Sequence, residues 1–381
     1  MMLTAETFHP RDLAPTDVAA WRVLCASHPE FANPLMGPDF AQAVGTVRPD
    51  ARVTVWRWPG RTAGFLAYHL RPGSFARPIG APLSDYHGLV AEQGLEADEA
   101  MSAAGLSVYR FTGLTDPNRA FSGCAVSERD SFVIELESSG EAYLEALRAS
   151  SPKRFKNYRR LDHKLDREVG TLSIVGPDRD PVAFATLLRW KREQLARTGA
   201  HDFLNPAWTR DLLQALFARQ EGEFQGLMVN LYAGDRLVAG HFGIRQGGFY
   251  HPWIASTDPE LGAWSPGQVF LGRAIAAMTD MGLTTYDLGP GHEHYKRPYA
   301  LTIRALGEGV ATAANLGGRA AQMSEQAWNL AGAQGSGAVG KLRRRLDIIA
   351  STELSLAGRA RGVVAAIGSR ARRTSGEMEV A

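Results

Sequence analysis

The sequence predicts an α/β (α+β) protein made of two successive units, each a mixed sheet flanked by helices, with a basic C-terminal extension. A chain of 381 residues with 45% hydrophobic content favours about two domains of ~100 to 200 residues each. Apolar segments with a period of two also alternate along the chain with segments of helical period. We expect units at residues 1–145 and 146–315, and an Ala/Gly-rich linker with a basic helical or disordered tail at 316–381.

Composition narrows the class of protein. Positive and negative side chains nearly balance, with a formal net charge of +2. The protein as a whole therefore has no strong positive field of the kind that binds nucleic acid, and we expect no DNA as a partner. Cys25 and Cys124 are far apart in sequence, which supports neither a disulfide framework nor a thiolate zinc site. The N-terminus lacks the order of a signal peptide, and no run approaches ~18 apolar residues. We expect a cytoplasmic protein, with a peripheral position at the inner membrane left open.

The first unit alternates between helical and extended patterns. "DVAAWRVLCAS" has helical spacing, whereas "ARVTVWRW", "RTAGFLAYHL", "LSVYRFTGL" and "SFVIELE" have the alternation of strands. "WPGRTAG" supplies a turn between the first two strands. These patterns predict a mixed α and β unit.

A cationic helical stretch, 141–168, opens the second unit. It contains Lys153, Arg154, Lys156, Arg159, Arg160, Lys164 and Arg167. Such a run is commonly a solvated helix face. The alternative is a surface that contacts phosphates of an anionic substrate, for which Lys153 and Arg159 are the candidates.

The following block predicts two helices and a meander. "PVAFATLLRWKREQLARTGA" and "NPAWTRDLLQALFARQ" are amphipathic. "GLMVNLYAG", "RLVAGHFGIR" and "GFYHPWIAS" are extended, and are separated by Gly234-Asp235 and Gly247-Gly248. Because these dipeptides suit tight hairpins, the three strands are expected to be antiparallel.

A crossover comes next. The loop "TDPELGAWSPG" leads into the helix "QVFLGRAIAAMTDMG", which feeds the strand "LTTYDLG". Ser265 is the expected N-cap and Pro266 the first helical residue. Strand, helix and strand in this order predict a β-α-β crossover.

The start of that helix is a candidate anion site. First-turn N–H groups are unpaired and carry the positive end of the helix dipole, and Gly267 would allow a phosphate to approach. Ser265, Gly267 and Gln268 are therefore candidate cofactor-binding residues. A plain Pro/Gly helix start is the alternative, because neither a Walker lysine nor a GxGxxG motif is present.

The stretch "YDLGPGHEHYKRPYA" (286–300) is the second candidate site. Its HEHYK segment differs from the metal motif HExxH, and His292 and His294 would diverge on a helix, so we expect no metal. Asp287 is better placed, since it ends a strand just before Gly289-Pro290-Gly291, where ligand chemistry gathers in α/β sheets. A turn cap is the alternative role for Asp287.

The order of these motifs resembles the GCN5-related N-acetyltransferase (GNAT) superfamily. "WKREQLARTGA", "LVAGHFGIR", "SPGQVFLGRAI" and "YDLGPGHEHYKRPYA" are similar to its branch of Fem-type peptidyltransferases and cellulose- or exopolysaccharide-associated acetyltransferases. "APLSDYHGLV" is similar to that branch's first half, and proteins serving holdfast polysaccharide are the nearest suggestion. The resemblance covers most of 15–315 and implies two tandem GNAT-like units.

The sequence departs from the superfamily pattern in the loop that would bind the acyl donor. The superfamily's pyrophosphate loop, (Arg/Gln)-x-x-Gly-x-(Gly/Ala), is absent, and "ELGAWSPGQ" keeps only Gly262 and Gly267. Fem-type relatives depart similarly and use aminoacyl-tRNA instead of acetyl coenzyme A.

The resemblance implies direct transfer of an acyl group, acetyl in the first instance, from acetyl-CoA to an acceptor amine, with no metal. Asp287 is the expected base or amine-orienting group, with His292 or Glu293 as relay. Tyr295 would donate to the leaving thiolate, and Lys296 would bind a phosphate or the oxyanion. Gly289 and Gly291 join the cofactor-binding set.

The expected acceptor is an amino sugar of a bacterial exopolysaccharide or its precursor. Asp85, Tyr86 and His87 of the first unit, with His241 of the meander, are candidate substrate-binding residues. For the triplet in "SDYHG", a turn cap is the competing interpretation.

The tail mixes cationic and apolar residues and admits three interpretations. It could contact anionic lipid as a surface-lying helix, bind a cyclic dinucleotide such as cyclic di-GMP through Arg344 and Asp347, or be disordered. Two other function classes also stay open: aminoacyl-tRNA-dependent peptidyl transfer, which predicts salt-dependent tRNA binding, and a catalytically inert binding protein regulated through the tail.

Overall fold

The structure is a computed structural model that describes residues 3–291, 293–333 and 337–364. In these ranges the strands are β1 (Thr4–Phe8), β2 (Ala51–Trp58), β3 (Arg61–Arg71), β4 (Phe75–Pro78), β5 (Val90–Ala91), β6 (Val108–Leu114), β7 (Ala125–Glu135), β8 (Leu172–Val175), β9 (Phe224–Ala233), β10 (Arg236–Gln246), β11 (Phe249–Thr257), β12 (Thr285–Pro290) and β13 (Thr302–Thr312).

The α-helices of the same ranges lie between the strands and after them. They are α1 (Pro15–Ala26), α2 (Pro38–Val47), α3 (Ala97–Ala103), α4 (Gly140–Ser150), α5 (Pro152–Glu168), α6 (Pro181–Thr198), α7 (Ala207–Ala218), α8 (Pro266–Ala276), α9 (Glu293–Lys296), α10 (Leu316–Leu330) and α11 (Ala338–Thr352). The predicted fold class, mixed sheets flanked by helices, is confirmed. No helix of the described ranges is long and apolar enough to cross a membrane.

The chain divides into two compact units by contact. The first contains the described parts of Met1–Glu128, Leu195–Leu212 and Leu306–Ala381, and the second contains Arg129–Gln194 and Leu213–Ala305. The units therefore interleave along the sequence. The domain limits expected at 145 and 315 stay a prediction.

The sheet of the first unit has the strand order β1-β2-β3-β4-β6-β13, with β5 beside β3. Neighbours are antiparallel except β4 and β6, which are parallel. Its core is aromatic-rich, and Trp56, Tyr68, Tyr109 and Phe111 are almost fully buried. Burial of such large side chains is the main favourable contribution to folding of this unit.

Two C-terminal helices, α10 and α11, belong to the first unit. Asp347 of α11 accepts hydrogen bonds from Arg110 (2.7 Å) and Arg77 (3.4 Å). Trp208 Nε1 donates to the carbonyl oxygen of Thr352 at 2.9 Å. Part of the segment predicted as linker and tail is thus packed helix.

The sheet of the second unit has the order β7-β12-β11-β10-β9-β8. Strands β9, β10 and β11 form the predicted antiparallel meander. β11 and β12 are parallel and are joined by α8, so the predicted β-α-β crossover is confirmed. The cationic helical stretch is two helices, α4 and α5, since Pro152 begins a new helix after Ser151.

Helices cover both faces of β10, and successive side chains of this strand point to opposite faces. On one face Phe242 packs against Phe184 of α6 and Phe217 of α7, with ring centroids 4.8 and 6.1 Å away. On the other face the ring of His241 lies 4.4 Å from that of Phe270 in α8. This second face carries the candidate site.

Candidate active site

The site lies where β11 and β12 part. Their parallel pairing covers Phe249 with Thr285 and Tyr250 with Tyr286. Beyond these positions β11 continues its pairing with β10, and β12 with β7. The carboxyl ends of two parallel strands thus separate beside the helix that connects them, which is where α/β sheets hold ligands.

A buried histidine joins two tyrosine hydroxyl groups on this face. His241 Nδ1 is 2.6 Å from Tyr286 Oη, and His241 Nε2 is 3.0 Å from Tyr295 Oη. His241 comes from β10, Tyr286 from β12 and Tyr295 from α9. Each ring nitrogen therefore has a phenol as its neighbour, and the three side chains form one hydrogen-bonded chain.

The imidazole of this chain is neutral near pH 7. Burial lowers the pKa of His241 from 6.5 to about 3, and the positive charges of Lys296 and Lys191 act in the same direction. A neutral imidazole has one N–H donor and one acceptor nitrogen. One tyrosine therefore donates to His241 while the other accepts from it, which orients both hydroxyl groups.

Both tyrosines keep their protons at physiological pH. Burial raises the pKa of Tyr295 above its usual 10, and burial together with the nearby Tyr250 and Tyr295 raises the pKa of Tyr286 well above 10. A hydroxyl group held this way is a hydrogen-bond and proton donor, not a base. The arrangement suits protonation of a leaving group.

The first turn of α8 adjoins Tyr295. A Cβ placed on Gly267 would lie 3.8 Å from Tyr295 Cε2 and 3.5 Å from Thr257 Cγ2, so nothing crowds that backbone. Ser265 is the N-cap, as predicted, but its side chain makes no capping hydrogen bond. The positive end of the α8 dipole is therefore available to an anion beside the hydroxyl-imidazole chain.

Gln268 adds a polar group of another kind. Its Oε1 is buried and has no hydrogen-bond partner among the described residues. Its carbonyl oxygen, in contrast, accepts from Tyr299 Oη at 2.8 Å. Because an unsatisfied buried acceptor costs free energy, this oxygen is suited to an N–H or O–H of a bound molecule.

A cavity of about 710 Å³ runs beside α8. It is bounded by α4, α5, β8 and α8, and its polar lining includes Arg148, Arg159, Asp162, Gln268, Arg273 and Tyr299. Asp162 and Arg273 form a two-point ion pair at 2.6 and 2.9 Å that fixes α5 to α8. The cavity is large enough for a ligand of cofactor size.

Asp287 and Lys296 hold the turn after β12. Asp287 is fully buried, and its Oδ1 accepts from the Gly289 N–H at 2.8 Å. Gly289 and Gly291 have positive φ of 71° and 79°, a conformation that favours glycine. Lys296 Nζ donates to the carbonyl oxygens of Gly289 (3.2 Å) and Pro290 (2.9 Å). The roles of base and oxyanion ligand expected for Asp287 and Lys296 stay predictions.

The structure brings together most of the predicted residues of the second unit. Ser265, Gly267, Gln268, Asp287, Gly289, Tyr295, Lys296 and His241 all lie around the parted strands and the start of α8. His292 lies outside the described residues, and Glu293 is the first residue of α9. In the described ranges no group of three or more His, Cys, Asp or Glu is placed to hold a metal ion.

The predicted triplet of the first unit is a packed turn. His87 Nδ1 is 3.0 Å from the carbonyl oxygen of Ser84, and its Nε2 accepts from the N–H groups of Thr112 and Gly113 at 3.1 and 3.0 Å. His87 and Tyr86 are buried. Both nitrogens of His87 therefore serve the fold, and the substrate-binding role of Asp85, Tyr86 and His87 stays a prediction.

Lys153 and Arg159 lie on α5, where their side chains are exposed. With neighbouring cations they line a groove of about 870 Å³. Arg159 also lines the cavity beside α8. Of the two, Arg159 is thus the one that adjoins the candidate site.

Sequence reasoning missed Tyr286 and His251. Tyr286 completes the hydroxyl-imidazole chain, and His251 Nδ1 lies 3.7 Å from Asp287 Oδ1 with both side chains fully buried. The sequence feature that could have identified these two residues is a polar side chain inside an otherwise apolar strand. Its meaning depends on strand register, which links β10 to β12 across 45 residues.

Comparison with known proteins gives a family match over the segment that contains this site. Residues 152–297, from the start of α5 to just past α9, match the family model described as "Acetyltransferase (GNAT) domain". This segment contains His241, Tyr286, Tyr295 and the first turn of α8. Over this segment the chain is similar to a GNAT acetyltransferase domain, and the match supports an enzyme of the N-acetyltransferase type.

Three solved structures illustrate the folds to which this chain is similar. FemX is 12% identical with a TM-score of 0.49, covering 80% of this chain and 96% of its own. A tandem GNAT protein from the clavulanic acid biosynthesis pathway is 12% identical (TM-score 0.45; 82% and 99% covered). A GCN5-related glucosamine N-acetyltransferase region of a fungal multi-domain β-N-acetylglucosaminidase is 9% identical (TM-score 0.42; 81% and 38% covered). No curated protein matches the sequence.

Proposed function

We propose that the protein transfers an acyl group, acetyl in the first instance, from a coenzyme A thioester to the amine of an amino sugar. The acceptor belongs to a bacterial exopolysaccharide or its precursor. The observation that carries the proposal is the chain of Tyr286, His241 and Tyr295 beside the first turn of α8. It supplies an oriented proton donor next to an anion site.

The reaction requires one proton to leave the amine and one to reach the sulfur. The amine nitrogen bonds to the thioester carbonyl carbon, the carbon–sulfur bond breaks, and the sulfur departs as thiolate. Tyr295, which retains its proton, protonates that sulfur, and neutral His241 orients its hydroxyl group. Asp287, at the end of β12, is assigned the proton from the amine.

Features of α8 support a thioester of the coenzyme A type. The dipole at Gly267 favours a diphosphate, and the unsatisfied Oε1 of Gln268 favours an amide N–H such as those in a pantetheine arm. The cavity of about 710 Å³ beside α8 offers room for the nucleotide end. These residues fit the donor even though the superfamily's usual loop pattern is absent.

The groove on α5 supports an acceptor with an anionic carrier. Its lining is cationic except for Asn157, His163 and Glu168, and comprises Lys153, Lys156, Arg159, Arg160, Lys164 and Arg167 beside those three. Arginine and lysine bind phosphate through charge-assisted hydrogen bonds. A sugar linked to a nucleotide or lipid diphosphate would meet this requirement.

A thermal-shift panel tests the donor and acceptor together. Acetyl-CoA, longer acyl thioesters, nucleotide-linked amino sugars and an aminoacyl-tRNA are added separately. A ligand that binds only the folded state raises the melting temperature, by an amount set by its concentration relative to Kd. We expect acetyl-CoA and an amino-sugar nucleotide to stabilise the protein. Stabilisation by aminoacyl-tRNA alone would favour peptidyl transfer, and no response to any thioester would overturn the proposal.

We also propose that exposed cations near the C-terminus contact anionic lipid at the inner membrane. Lys341, Arg344 and Arg361 are exposed. Asp347, expected to pair with guanine, is instead held by Arg77 and Arg110, so a cyclic dinucleotide would have to displace those contacts.

Reversing those three charges to Glu should reduce sedimentation with anionic vesicles. The same reversal at Arg189, Arg192 and Arg197 of α6 is the control. Unchanged sedimentation would contradict the lipid contact, and loss of cyclic di-GMP binding would identify the nucleotide instead.

A further inference from the structure

Helix α10 packs onto the first unit through its polar face. Glu325 accepts from Arg110 Nη1 at 2.6 Å and also pairs with Arg343. Arg343 in turn lies over the ring of Trp328, 5.8 Å from its centroid. Gln322 Nε2 donates to Thr312 at 2.7 Å, and the first turn is anchored by buried Gly318. Ionic and polar contacts therefore fix the orientation of α10.

The opposite face of α10 is apolar and exposed. Leu316, Met323 and Leu330 are 83%, 71% and 90% exposed. With the exposed Ala320 and Ala327 they form the α10 stripe, whose members are spaced by four, three, four and three residues. At about 100° per residue this stripe lies on the side of the helix away from Glu325. This reverses the usual arrangement, in which the apolar face of a surface helix packs inward.

We propose that the α10 stripe is a homodimer interface, which packs against the α10 stripe of a second copy of this chain. Large and small side chains alternate along the stripe in the order Leu-Ala-Met-Ala-Leu. In an antiparallel pair, Leu316 faces Ala327 of the second copy, and Met323 faces its Ala320. Leu316 and Met323 then each pack against an alanine of the second copy, as interdigitating helices require.

Such a surface is self-complementary, as a two-fold interface must be. In an isologous contact the same patch serves both subunits, so a large residue needs a small one at the symmetric position. The spacing of four and three residues is also that of a coiled-coil seam. A parallel pair would instead place Leu against Leu and Ala against Ala, which leaves uneven gaps.

Charge around the stripe favours a second copy over a lipid surface. Helices that lie on membranes carry many Lys or Arg along the polar face. The exposed positions bordering the stripe are Arg319, Ser324 and Gln326, which include a single cation. Depletion of charge is instead typical of the centre of a protein interface.

The expected dimer is weak. A helix of 15 residues is about 22 Å long. Two such helices in contact reach only the low end of stable interfaces, roughly 1,000 Å² in total. Association should therefore depend on protein concentration in the micromolar range.

Sedimentation equilibrium of the full chain tests the proposed dimer. Protein concentrations of about 1 to 200 μM bracket the weak association that we expect. We expect the mean mass to rise from 41.4 kDa toward twice that value. Met323→Glu should weaken the association at least tenfold. Val23→Glu is the matched control, because Val23 is 70% exposed on a different helix, and should dimerise as the wild type does.

A second variant distinguishes helix pairing from a general effect of added charge. Ala320→Lys combined with Met323→Glu places Lys opposite Glu of the second copy in the antiparallel arrangement, so association should recover at low salt. Circular dichroism should show unchanged helix content in every variant.

Four results would overturn the proposal. The wild type could stay monomeric throughout the range, or Met323→Glu could dimerise as well as Val23→Glu does. A chain ending at residue 364 could dimerise while the full chain does not, which would make residues 365–381 the occupant of the stripe. Binding of neutral or anionic vesicles that Met323→Glu abolishes, without dimerisation, would assign the stripe to lipid.

Discussion

At the scale of single residues, the chemistry depends on keeping one histidine neutral. His241 is buried on the α8 face of β10 between two phenol groups, and Lys296 and Lys191 oppose its protonation. In the tautomer protonated on Nε2, the neutral ring donates to Tyr295 Oη and leaves the hydroxyl hydrogen of Tyr295 for a bound acceptor. In the proposed reaction His241 orients the hydroxyl group of Tyr295, and Tyr295 donates the proton.

Removing the hydroxyl group of Tyr295 should slow catalysis. We expect Tyr295→Phe to lower kcat about 100-fold with KM nearly unchanged, since proton transfer to a leaving group contributes at this level. Steady-state thiol release measures it. Tyr232→Phe is the control, because Tyr232 donates to Asp178 in the same unit and outside the site. Equal rates for the two variants would remove Tyr295 from the mechanism.

Replacing the carboxylate of Asp287 tests the assignment of the base. Asp287→Asn keeps the size of the side chain and an oxygen that can accept from Gly289 N–H. We expect kcat to fall by about 100-fold or more if the carboxylate takes the proton from the amine. A rate within about threefold of wild type, less than ~1 kcal/mol in activation free energy, would restrict Asp287 to holding the turn.

Stability should fall on acidification through His241. Its folded pKa of about 3 lies below the unfolded value near 6.5, so the unfolded chain binds the extra proton between these values. Stability is therefore complete above pH 6.5 and decreases toward pH 3, by about 2 kcal/mol between pH 7 and pH 5. His69, whose pKa burial lowers to about 4, adds a similar loss.

Denaturant midpoints measured from pH 7 to pH 5 test this prediction. In His241→Gln the acid-induced loss of stability should shrink, because one of the histidines with a lowered pKa is gone, while His69 continues to contribute. A pH dependence identical to that of wild type would contradict the neutral, buried state of His241.

At the scale of elements, α8 connects the parted strands β11 and β12, and its first turn lies beside Tyr295. Gly267 leaves this backbone uncovered, and a Cβ there would make only ordinary contacts with Thr257 and Tyr295. A methyl group should thus be tolerated by the fold yet obstruct a phosphate that approaches the N–H groups.

Two glycine substitutions separate these effects. Gly267→Ala should weaken acetyl-CoA binding at least tenfold, about 1.4 kcal/mol, and shift the melting temperature by no more than a few degrees. Gly262→Ala, in the preceding turn with nothing within 4 Å of the added Cβ, should leave binding intact. Calorimetric titration compares them. Unchanged affinity in Gly267→Ala would move the donor phosphates away from α8.

Local sequence signals predicted the elements around the site well. The strands β9 to β11 follow from alternating apolar residues and from the turns at Gly234 and Gly247, both with positive φ. Ser265 and Pro266 marked the start of α8. Each of these features is decided by neighbours within a few residues, which is why periodicity and turn chemistry reveal them.

Contacts between distant parts of the sequence could not be predicted in the same way. The pairing of His241 with Tyr286 needs the register of three strands, and Trp208 reaches the carbonyl of Thr352 across 144 residues. "SDYHG" has the composition of a site, yet both nitrogens of His87 are used within its own turn. Composition alone does not distinguish polar groups that stabilise a turn from those that meet a ligand.

At the scale of the whole molecule, the protein has two compact units that interleave along the chain. The second contains the entire hydroxyl-imidazole chain, the start of α8 and the cavity beside it. The first contains α10 with its exposed apolar stripe. The proposed acyl transfer and the proposed self-association therefore depend on different units, and Met323→Glu should leave thiol release per chain unchanged.

The central claim is acyl transfer to an amino sugar at the site around His241 and Tyr295. Its most direct measurement is thiol release from acetyl-CoA by the purified full chain, with a panel of nucleotide-linked and free amino sugars as acceptors and mass spectrometry of the products. We expect acceptor-dependent thiol release, with a product heavier by one acetyl group on its amine. Thiol release that no amino sugar accelerates, or an acceptor recovered unmodified, would contradict it.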